Sequence, residues 1–132
     1  MHPSVVFVCL HGSAKSLIAA EYFRRMATAR GISVEVDFGG IEPDAAVPPH
    51  VVQGLHADGI DVRDRRPHRP TPDEIGRATA VVSFCDLGEL TPHAKRVDRW
   101  DDIPAVSDNF ARARDAIVAR VSRLLDDPAL RT

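Results

Sequence analysis

Short apolar runs recur along the chain, and their pattern predicts strands that alternate with helices. Ser4–Cys9 is almost wholly apolar, and residues 80–85 repeat that character, which is typical of strands buried on both faces of a parallel sheet. Residues 34–38 alternate between apolar and polar side chains and stop at two glycines, which indicates a further strand and a turn. Residues 95–100 complete a set of four predicted strands.

Apolar positions at helical spacing lie in the segments between these strands. A helix that Ser16 can cap is predicted to run to about residue 30, with an apolar stripe along one face. Shorter helices are predicted over residues 49–58 and 71–78, and the second opens with a threonine, a proline and two acids, as helix N-termini often do. Phe110 begins a long amphipathic helix.

This alternation predicts an α/β fold, in which a four-stranded parallel sheet lies between helices on both faces in three layers. The 132 residues show no repeat, linker or low-complexity segment, so we expect a single domain over residues 1–132. Residues 126–132 are expected to fray. Parallel sheets bind ligands at the carboxyl ends of their strands, and Cys9, Cys85 and residues 100–102 all fall at such ends. They are therefore candidates to share one cleft.

Composition narrows the partners that the chain is expected to have. With 44% hydrophobic residues, 27% charged residues and a net charge of -2, nothing favours nucleic acid or a membrane surface as a general partner. No apolar run approaches the roughly 20 residues of a membrane span, and the first residues lack a basic signal region, so a cytoplasmic location is expected. The two cysteines, Cys9 and Cys85, are too few for a disulfide scaffold and lack zinc-site spacing, so neither a metal nor a cofactor is predicted.

The first strand leads into the stretch with the clearest chemistry, residues 9–16. A buried strand, a tight loop and a helix N-terminus point several backbone N–H groups and the positive end of a helix dipole at one spot. These features bind anions, and they favour the thiolate form of a cysteine at the strand end, here Cys9. A nucleotide-binding P-loop needs glycines where Cys9 and Ala14 stand. The stretch is therefore a candidate site where a nucleophile meets an oxyanion.

The spacing of Cys9, Lys15 and Ser16 is similar to the Cys-x5-Arg-Ser/Thr loop of cysteine-dependent phosphatases, with lysine where arginine belongs. Further segments that match one family are Gly59-Ile60-Asp61-Val62, residues 80–85 and Trp100-Asp101-Asp102-Ile103-Pro104. Along its whole length the chain resembles the low-molecular-weight protein tyrosine phosphatase family, which also includes thioredoxin-coupled arsenate reductases. The resemblance implies the same four-stranded α/β fold.

The resemblance also implies catalytic roles. Cys9 would attack phosphorus in line and form a phosphocysteine, and Asp102 or Asp101 would protonate the leaving oxygen before water releases phosphate. The Ser16 hydroxyl would hydrogen-bond to the thiolate. The backbone N–H groups expected to cradle the anion belong to Leu10, His11, Gly12, Ser13, Ala14, Lys15 and Ser16. These assignments predict hydrolysis of a phosphomonoester on a small molecule or a phosphoprotein, with phosphotyrosine as one candidate.

Three departures from the family pattern bear on this activity. Lys15 offers a point charge where arginine grips two oxygens through a planar fork, which predicts weak hydrolysis. His11 and Gly12 stand where the family has glycine and asparagine, and Gly12 has no side chain to brace the loop. Ile103 separates Asp102 from the proline that directly follows the family's aspartate, so the register of the acid is open by one residue.

Two other functions stay open. Cys9 and Cys85 match two of the three cysteines of the arsenate reductases in this family, while residues 86–93 lack the third, so arsenate reduction with an external thiol reductant is one alternative. A catalytically inactive protein that binds phosphate or a phosphoprotein is the other. Purely structural interpretations remain as well, with Cys85 as a small buried side chain and the two aspartates as turn caps. The basic residues 63–69 form a solvated loop or steer a phosphorylated partner.

Overall fold

The computed structural model of the protein describes residues 2–131. Its centre is a sheet of four parallel strands in the order β2-β1-β3-β4, which confirms the predicted sheet. The strands are β1 (Ser4–Cys9), β2 (Glu35–Gly40), β3 (Ala80–Ser83) and β4 (Val97–Arg99). β1 and β3 occupy the middle of the sheet, where both faces are covered, and this explains why their sequences are apolar almost throughout.

Helices cover both faces of the sheet and complete the three-layer architecture. They are α1 (Lys15–Ala29), α2 (Pro49–Ala57), α3 (Pro72–Arg77) and α4 (Phe110–Leu124), with 3-10 turns over Gly88–His93 and Pro128–Leu130. Alternate residues of β1 enter the two outer layers: Val5 and Phe7 pack with α1, α2 and α4, whereas Val6 and Val8 pack with α3 and the first 3-10 turn. None of the helices in residues 2–131 has the length and apolar character that a bilayer crossing requires.

The register of the sheet brings several loops to one edge. Cys9, the last residue of β1, pairs with Gly40 at the end of β2, and Val8 pairs with Ser83 at the end of β3. The segments that follow β1, β2 and β3 therefore leave the sheet side by side, at the carboxyl edge where α/β folds bind ligands.

Two element boundaries differ from the predictions. α1 follows Ala14 and has no side-chain cap, because Ser16 is fully buried in the first turn and its hydroxyl contacts Cys9. The prediction of Ser16 as a helix cap is therefore wrong. β3 ends at Ser83, so Cys85 lies two residues beyond the strand that was predicted to contain it.

The tail is more ordered than its sequence indicates. Leu130 is fully buried, and the Arg131 guanidinium donates two hydrogen bonds, of 3.0 and 3.2 Å, to the Leu125 carbonyl. The prediction of fraying is thus wrong for residues 126–131, because one apolar side chain fixes the end of the chain against the core. Thr132 lies outside the described residues.

Candidate active site

The Cys9 thiol lies at the carboxyl end of β1, where the residue is only 7% exposed. The Gly12 backbone N–H donates to Cys9 Sγ over 3.2 Å, and Ser16 Oγ lies 3.0 Å from the same sulfur. Ser16 belongs to the first turn of α1, where the helix dipole is positive. One backbone N–H donor, one hydroxyl within hydrogen-bond distance and a helix N-terminus thus surround one sulfur atom.

Gly12 allows the loop between β1 and α1 to close this tightly. Its φ of +63° lies in the left-handed region that favours glycine. A Cβ at this position would lie 2.5 Å from the backbone nitrogen of Gly40, far inside van der Waals contact. A bracing side chain at position 12, which the family pattern leads one to expect, is therefore sterically excluded in this protein.

The chain that leaves β2 braces the loop instead. Backbone N–H groups within residues 41–44 donate over 2.7 to 3.2 Å to three consecutive loop carbonyls, those of Cys9, Leu10 and His11. The Ser13 hydroxyl donates to Asp44 Oδ2 over 2.6 Å, and His11 Nδ1 lies 3.7 Å from Asp44 Oδ1. Asp44 is absent from the residues singled out by sequence. The pairing of β1 with β2 was the signal available for it, since paired parallel strands place their following loops side by side.

A cavity of about 310 Å³ opens at the thiol. The residues that line it come from four segments: Cys9, Leu10, His11, Ser13, Ala14 and Lys15; Asp44, Pro48 and His50; Phe84; and Ala105, Val106 and Ser107. Among the described lining residues, Lys15 is the one lysine or arginine. No ion pair within residues 2–131 involves Lys15, so its ammonium charge is available to an anion in the cavity.

The structure brings together the whole predicted anion loop. Five of its seven residues line the cavity, namely Leu10, His11, Ser13, Ala14 and Lys15. The other two, Gly12 and Ser16, hydrogen-bond to the Cys9 sulfur. The loop thus combines a thiol, backbone donors and one mobile positive charge, the groups that bind a tetrahedral oxyanion and present a nucleophile to it.

The structure does not bring the two predicted acids to this cavity. The Asp102 carboxylate pairs with Arg120, which holds the pKa of that carboxyl below its usual range. Asp101 pairs with Arg99 at the end of β4. Neither aspartate lines the cavity, and the segment after β4 contributes Ala105, Val106 and Ser107 to the lining instead. Their assignment as general acid stays a prediction that the geometry does not favour.

Cys85 follows β3 as a free, half-buried cysteine. Burial raises the pKa of its thiol, and the charge of the nearby Cys9 raises it further. The two cysteines therefore lie at neighbouring strand ends, as expected, although Cys85 is not among the residues that line the cavity. The environment of Cys85 favours the neutral thiol, the form that is inert as a nucleophile.

The basic segment between α2 and α3 is partly neutralised by acids. Arg65 pairs over 2.8 Å with Glu21, a nearly buried residue of α1, and Arg63 pairs over 2.9 Å with Asp61. Two of the four arginines of this loop, which was predicted either to be solvated or to steer a phosphorylated partner, are thus paired with carboxylates of the same chain. The Arg65–Glu21 pair also fastens the segment to α1, which explains why this loop is held against the fold.

A larger cavity, of about 630 Å³, lies at the opposite end of the sheet, lined by the first residues of β1 and β2. Near it, Asp37 Oδ2 and Glu74 Oε2 lie 3.4 and 4.0 Å from His68 Nε2. Three such side chains are able to hold a metal ion, but the same contacts make an ion-pair cluster without one. No cysteine lines this cavity, so the chemistry of the protein is assigned to the cavity at Cys9.

The fold and the loop together define a class of protein: a three-layer α/β protein with a cysteine at the base of a strand–loop–helix turn, the candidate anion site. A family model described as low molecular weight phosphotyrosine protein phosphatase matches residues 4–99. The chain belongs to this family.

The similar proteins include arsenate reductases and a protein tyrosine phosphatase. The Halobacterium salinarum protein named "Putative arsenate reductase" is 28% identical over 127 residues, which are 92% of this chain and 89% of the relative. The thioredoxin-dependent arsenate reductase of Corynebacterium glutamicum is 25% identical, with a TM-score of 0.78 over 95% of this chain and 61% of its own. The low molecular weight protein tyrosine phosphatase from T. tengcongensis is 17% identical, with a TM-score of 0.83 over 94% of this chain and 98% of its own, which establishes the shared fold.

Proposed function

We propose that the protein hydrolyses phosphomonoesters by attack of the Cys9 thiolate on phosphorus, through a phosphocysteine intermediate. The observation that carries this proposal is the position of Cys9 Sγ, which receives the Gly12 N–H at 3.2 Å and faces the Ser16 hydroxyl at 3.0 Å at the base of an open cavity. Hydrogen bonds to a sulfur anion stabilise it, and a thiolate is the nucleophilic form of cysteine.

The phosphoryl oxygens would be held by the loop and by Lys15. Backbone N–H groups at the start of α1 and the positive end of its dipole stabilise the negative charge that develops in the transition state. The Lys15 ammonium adds one positive charge to this wall of the cavity. Since lysine cannot form the bidentate contact of an arginine, we expect a rate lower by about 10- to 100-fold than an arginine would support, from the loss of one charge-assisted hydrogen bond.

Trapping of the intermediate tests this proposal. The protein is mixed with 4-nitrophenyl phosphate, quenched in acid, and its intact mass is measured beside the rate of 4-nitrophenol release. The expected result is one phosphoryl group on the wild type and on the variant Cys85→Ala, and none on the matched variant Cys9→Ala, which also loses turnover. A Cys9→Ala variant that keeps the wild-type rate would refute the role of Cys9.

A second measurement, alkylation of Cys9, separates hydrolysis from phosphate binding without hydrolysis. Inorganic phosphate should protect Cys9 from alkylation by iodoacetamide if the loop binds the anion. Protection without any turnover or phosphoryl adduct, together with turnover in Lys15→Arg, would assign the protein as a phosphate-binding relative that has lost its activity. Phosphate or a phosphoprotein would then be a bound ligand of the protein and not a substrate.

Arsenate reduction is a second candidate, and the positions of the two thiols favour it, because Cys9 ends β1 and Cys85 lies two residues beyond the paired strand β3. Arsenate would add to Cys9 with loss of hydroxide, and that hydroxide would take the proton of the neutral Cys85 thiol. The Cys85 thiolate so formed would attack the Cys9 sulfur, forming the disulfide and leaving the electron pair of the S–As bond on arsenic, which departs as arsenite. An external thiol reductant would restore both cysteines. Retention of both free thiols after incubation with arsenate would exclude this route.

A further inference from the structure

The cavity at Cys9 is lined by a segment that offers no carboxylic acid. The chain after β4 contributes Ala105, Val106 and Ser107 to the lining. Alanine and valine side chains carry no acidic proton, and a serine hydroxyl is too weak an acid to protonate a leaving oxygen at neutral pH. Three aspartates follow β4 in this segment. Asp101 and Asp102 pair with arginines outside the cavity, and Asp108 is not among the lining residues although it follows Ser107.

Buried side chains hold this segment in place. Trp100, Ile103 and Val106 are 5%, 6% and 5% exposed, and the Trp100 ring packs against two phenylalanines at centroid distances of 5.6 and 5.9 Å. Asp101 and Asp102 lie between the first two of these anchors. Moving either carboxylate into the cavity would pull an anchor out of the core and expose its apolar surface to water. The absence of an acid from the wall formed by residues 105–107 is therefore a stable property of the fold.

Asp44, a carboxylate that does line the cavity, contacts the loop between β1 and α1. Asp44 accepts the Ser13 hydroxyl through Oδ2 at 2.6 Å, and its Oδ1 faces the His11 ring at 3.7 Å. The Ser13 hydrogen bond makes Asp44 a residue that positions the loop. Its Oδ1 has no hydrogen bond within residues 2–131, since His11 Nδ1 pairs with the Glu42 carbonyl at 3.2 Å, so Asp44 is included in the experiment below. Besides Lys15, whose ammonium is assigned to the anion, His11 and His50 are lining side chains able to carry a proton, and the experiment below includes both histidines.

We infer that this site, acting as the phosphatase proposed above, takes phosphate compounds whose leaving oxygen departs as an anion, namely aryl phosphates of acidic phenols and acyl phosphates. In the first step the Cys9 S–P bond forms while the P–O bond to the leaving group breaks, and the electron pair leaves on that oxygen with no proton transferred. A positioned general acid contributes about 10²- to 10⁴-fold for leaving groups that need a proton. Tyrosine, whose phenol has a pKa of about 10, needs one, so phosphotyrosine is a poor substrate.

The second step also proceeds without a protein base. Water attacks the phosphorus of phosphocysteine, the S–P bond breaks, and its electron pair returns to sulfur as the thiolate. One hydrogen of the water stays on the new P–OH group, and the other is taken by a phosphoryl oxygen, so that dihydrogen phosphate leaves. Since no side chain activates this water, the step is slow, and phosphocysteine accumulates when the first step is fast. A burst of product follows for acidic leaving groups.

The test compares substrates that differ only in the acidity of the leaving phenol. With the full-length protein at constant pH, kcat/KM for 4-nitrophenyl phosphate is expected to exceed that for phenyl phosphate and phosphotyrosine by about 10²-fold or more, the range that a general acid would otherwise supply. Product formation from 4-nitrophenyl phosphate should begin with a burst of one equivalent per active site. Equal kcat/KM values across the series would overturn the inference while leaving the phosphatase proposal intact.

Two matched variants introduce the missing proton donor. Ala105→Asp places a carboxylic acid in the lining, and Ala105→Asn has nearly the same shape without an acidic proton. The aspartate is expected to raise turnover of phenyl phosphate at least 10-fold more than turnover of 4-nitrophenyl phosphate, whereas the asparagine changes both alike. An Ala105→Asp variant with the same dependence on leaving-group acidity as Ala105→Asn would contradict the assignment of this wall as the acid position.

Five further variants ask whether an existing side chain already donates the proton. Asp44→Asn, Asp102→Asn, Asp108→Asn, His11→Gln and His50→Gln are each assayed on phenyl and 4-nitrophenyl phosphate. A selective loss of phenyl phosphate turnover in any one of them would identify a general acid and overturn the inference. If no substrate of the series is turned over and no phosphocysteine forms, the proposed function itself is refuted, and the inference that rests on it falls too.

Discussion

Gly12 offers the sharpest test of how the fold builds the anion loop. Replacement by alanine forces a side chain into the left-handed region at φ +63°, which costs about 1 to 2 kcal/mol. The new Cβ would also lie 2.5 Å from the Gly40 nitrogen and 2.7 Å from the Gly39 carbonyl carbon. Overpacking of this kind typically costs about 1 to 3 kcal/mol. Gly12→Ala is therefore expected to lower the free energy of unfolding by about 2 to 5 kcal/mol.

Two other glycines separate these contributions. Gly59 has a φ of +81° with open space around it, so Gly59→Ala carries the conformational cost alone, about 1 kcal/mol after the gain from a stiffer unfolded chain. Gly40→Ala carries the contact alone, because its Cβ would lie 2.5 Å from the Gly12 nitrogen. The free energies of unfolding are measured by urea denaturation, with the slope m compared among the variants.

The effect of each variant on kcat should depend on whether the loop moves and not on how much stability is lost. Displacing the Gly12 N–H removes a donor from Cys9, and loss of one such preorganised donor typically lowers kcat by about 10²-fold or more. Gly12→Ala and Gly40→Ala should both lose activity in the folded state, and Gly59→Ala should keep it. If Gly12→Ala matches Gly59→Ala in both stability and rate, the close approach of the loop to β2 does not hold the site.

Three further predictions concern the loop and a helix start. Lys15→Arg should raise kcat/KM for 4-nitrophenyl phosphate by about 10- to 100-fold, and an unchanged value would show that Lys15 does not contact the phosphoryl group. Ser16→Ala removes the hydroxyl 3.0 Å from Cys9 Sγ and should lower kcat/KM by a similar factor with the fold intact by circular dichroism. The Thr71 backbone N–H holds the pKa of Glu74 below its usual range, so the carboxylate stabilises α3 above about pH 4.5 and loses that contribution as the pH falls through the lowered pKa. Glu74→Ala should therefore cost about 1 kcal/mol in urea denaturation at pH 7 and progressively less in acid, and a constant difference would contradict the assignment.

Much of the fold was predictable because its signals are local. A central strand of a parallel sheet is apolar on both faces, so Ser4–Cys9 is recognisable from its own residues. The α3 N-terminus was equally clear, since the Thr71 and Glu74 side chains form both halves of a capping box. The tail was mispredicted because the burial of Leu130 depends on a core assembled from the whole chain.

The sequence by itself determined the proposed nucleophile, Cys9, and the loop that follows it. The spacing from Cys9 to Lys15 and Ser16 is short, and a strand followed by a loop and a helix has few ways to arrange those residues. Only the tertiary structure decided what surrounds the loop. Asp44 meets Ser13 across 31 positions of sequence, and Asp102 is withdrawn by Arg120 across 18, because contacts between distant segments depend on how the sheet and helices pack and leave no periodic trace in the chain. This packing holds Asp102, the acid expected to assist catalysis, away from the Cys9 loop that is proposed to bind the oxyanion.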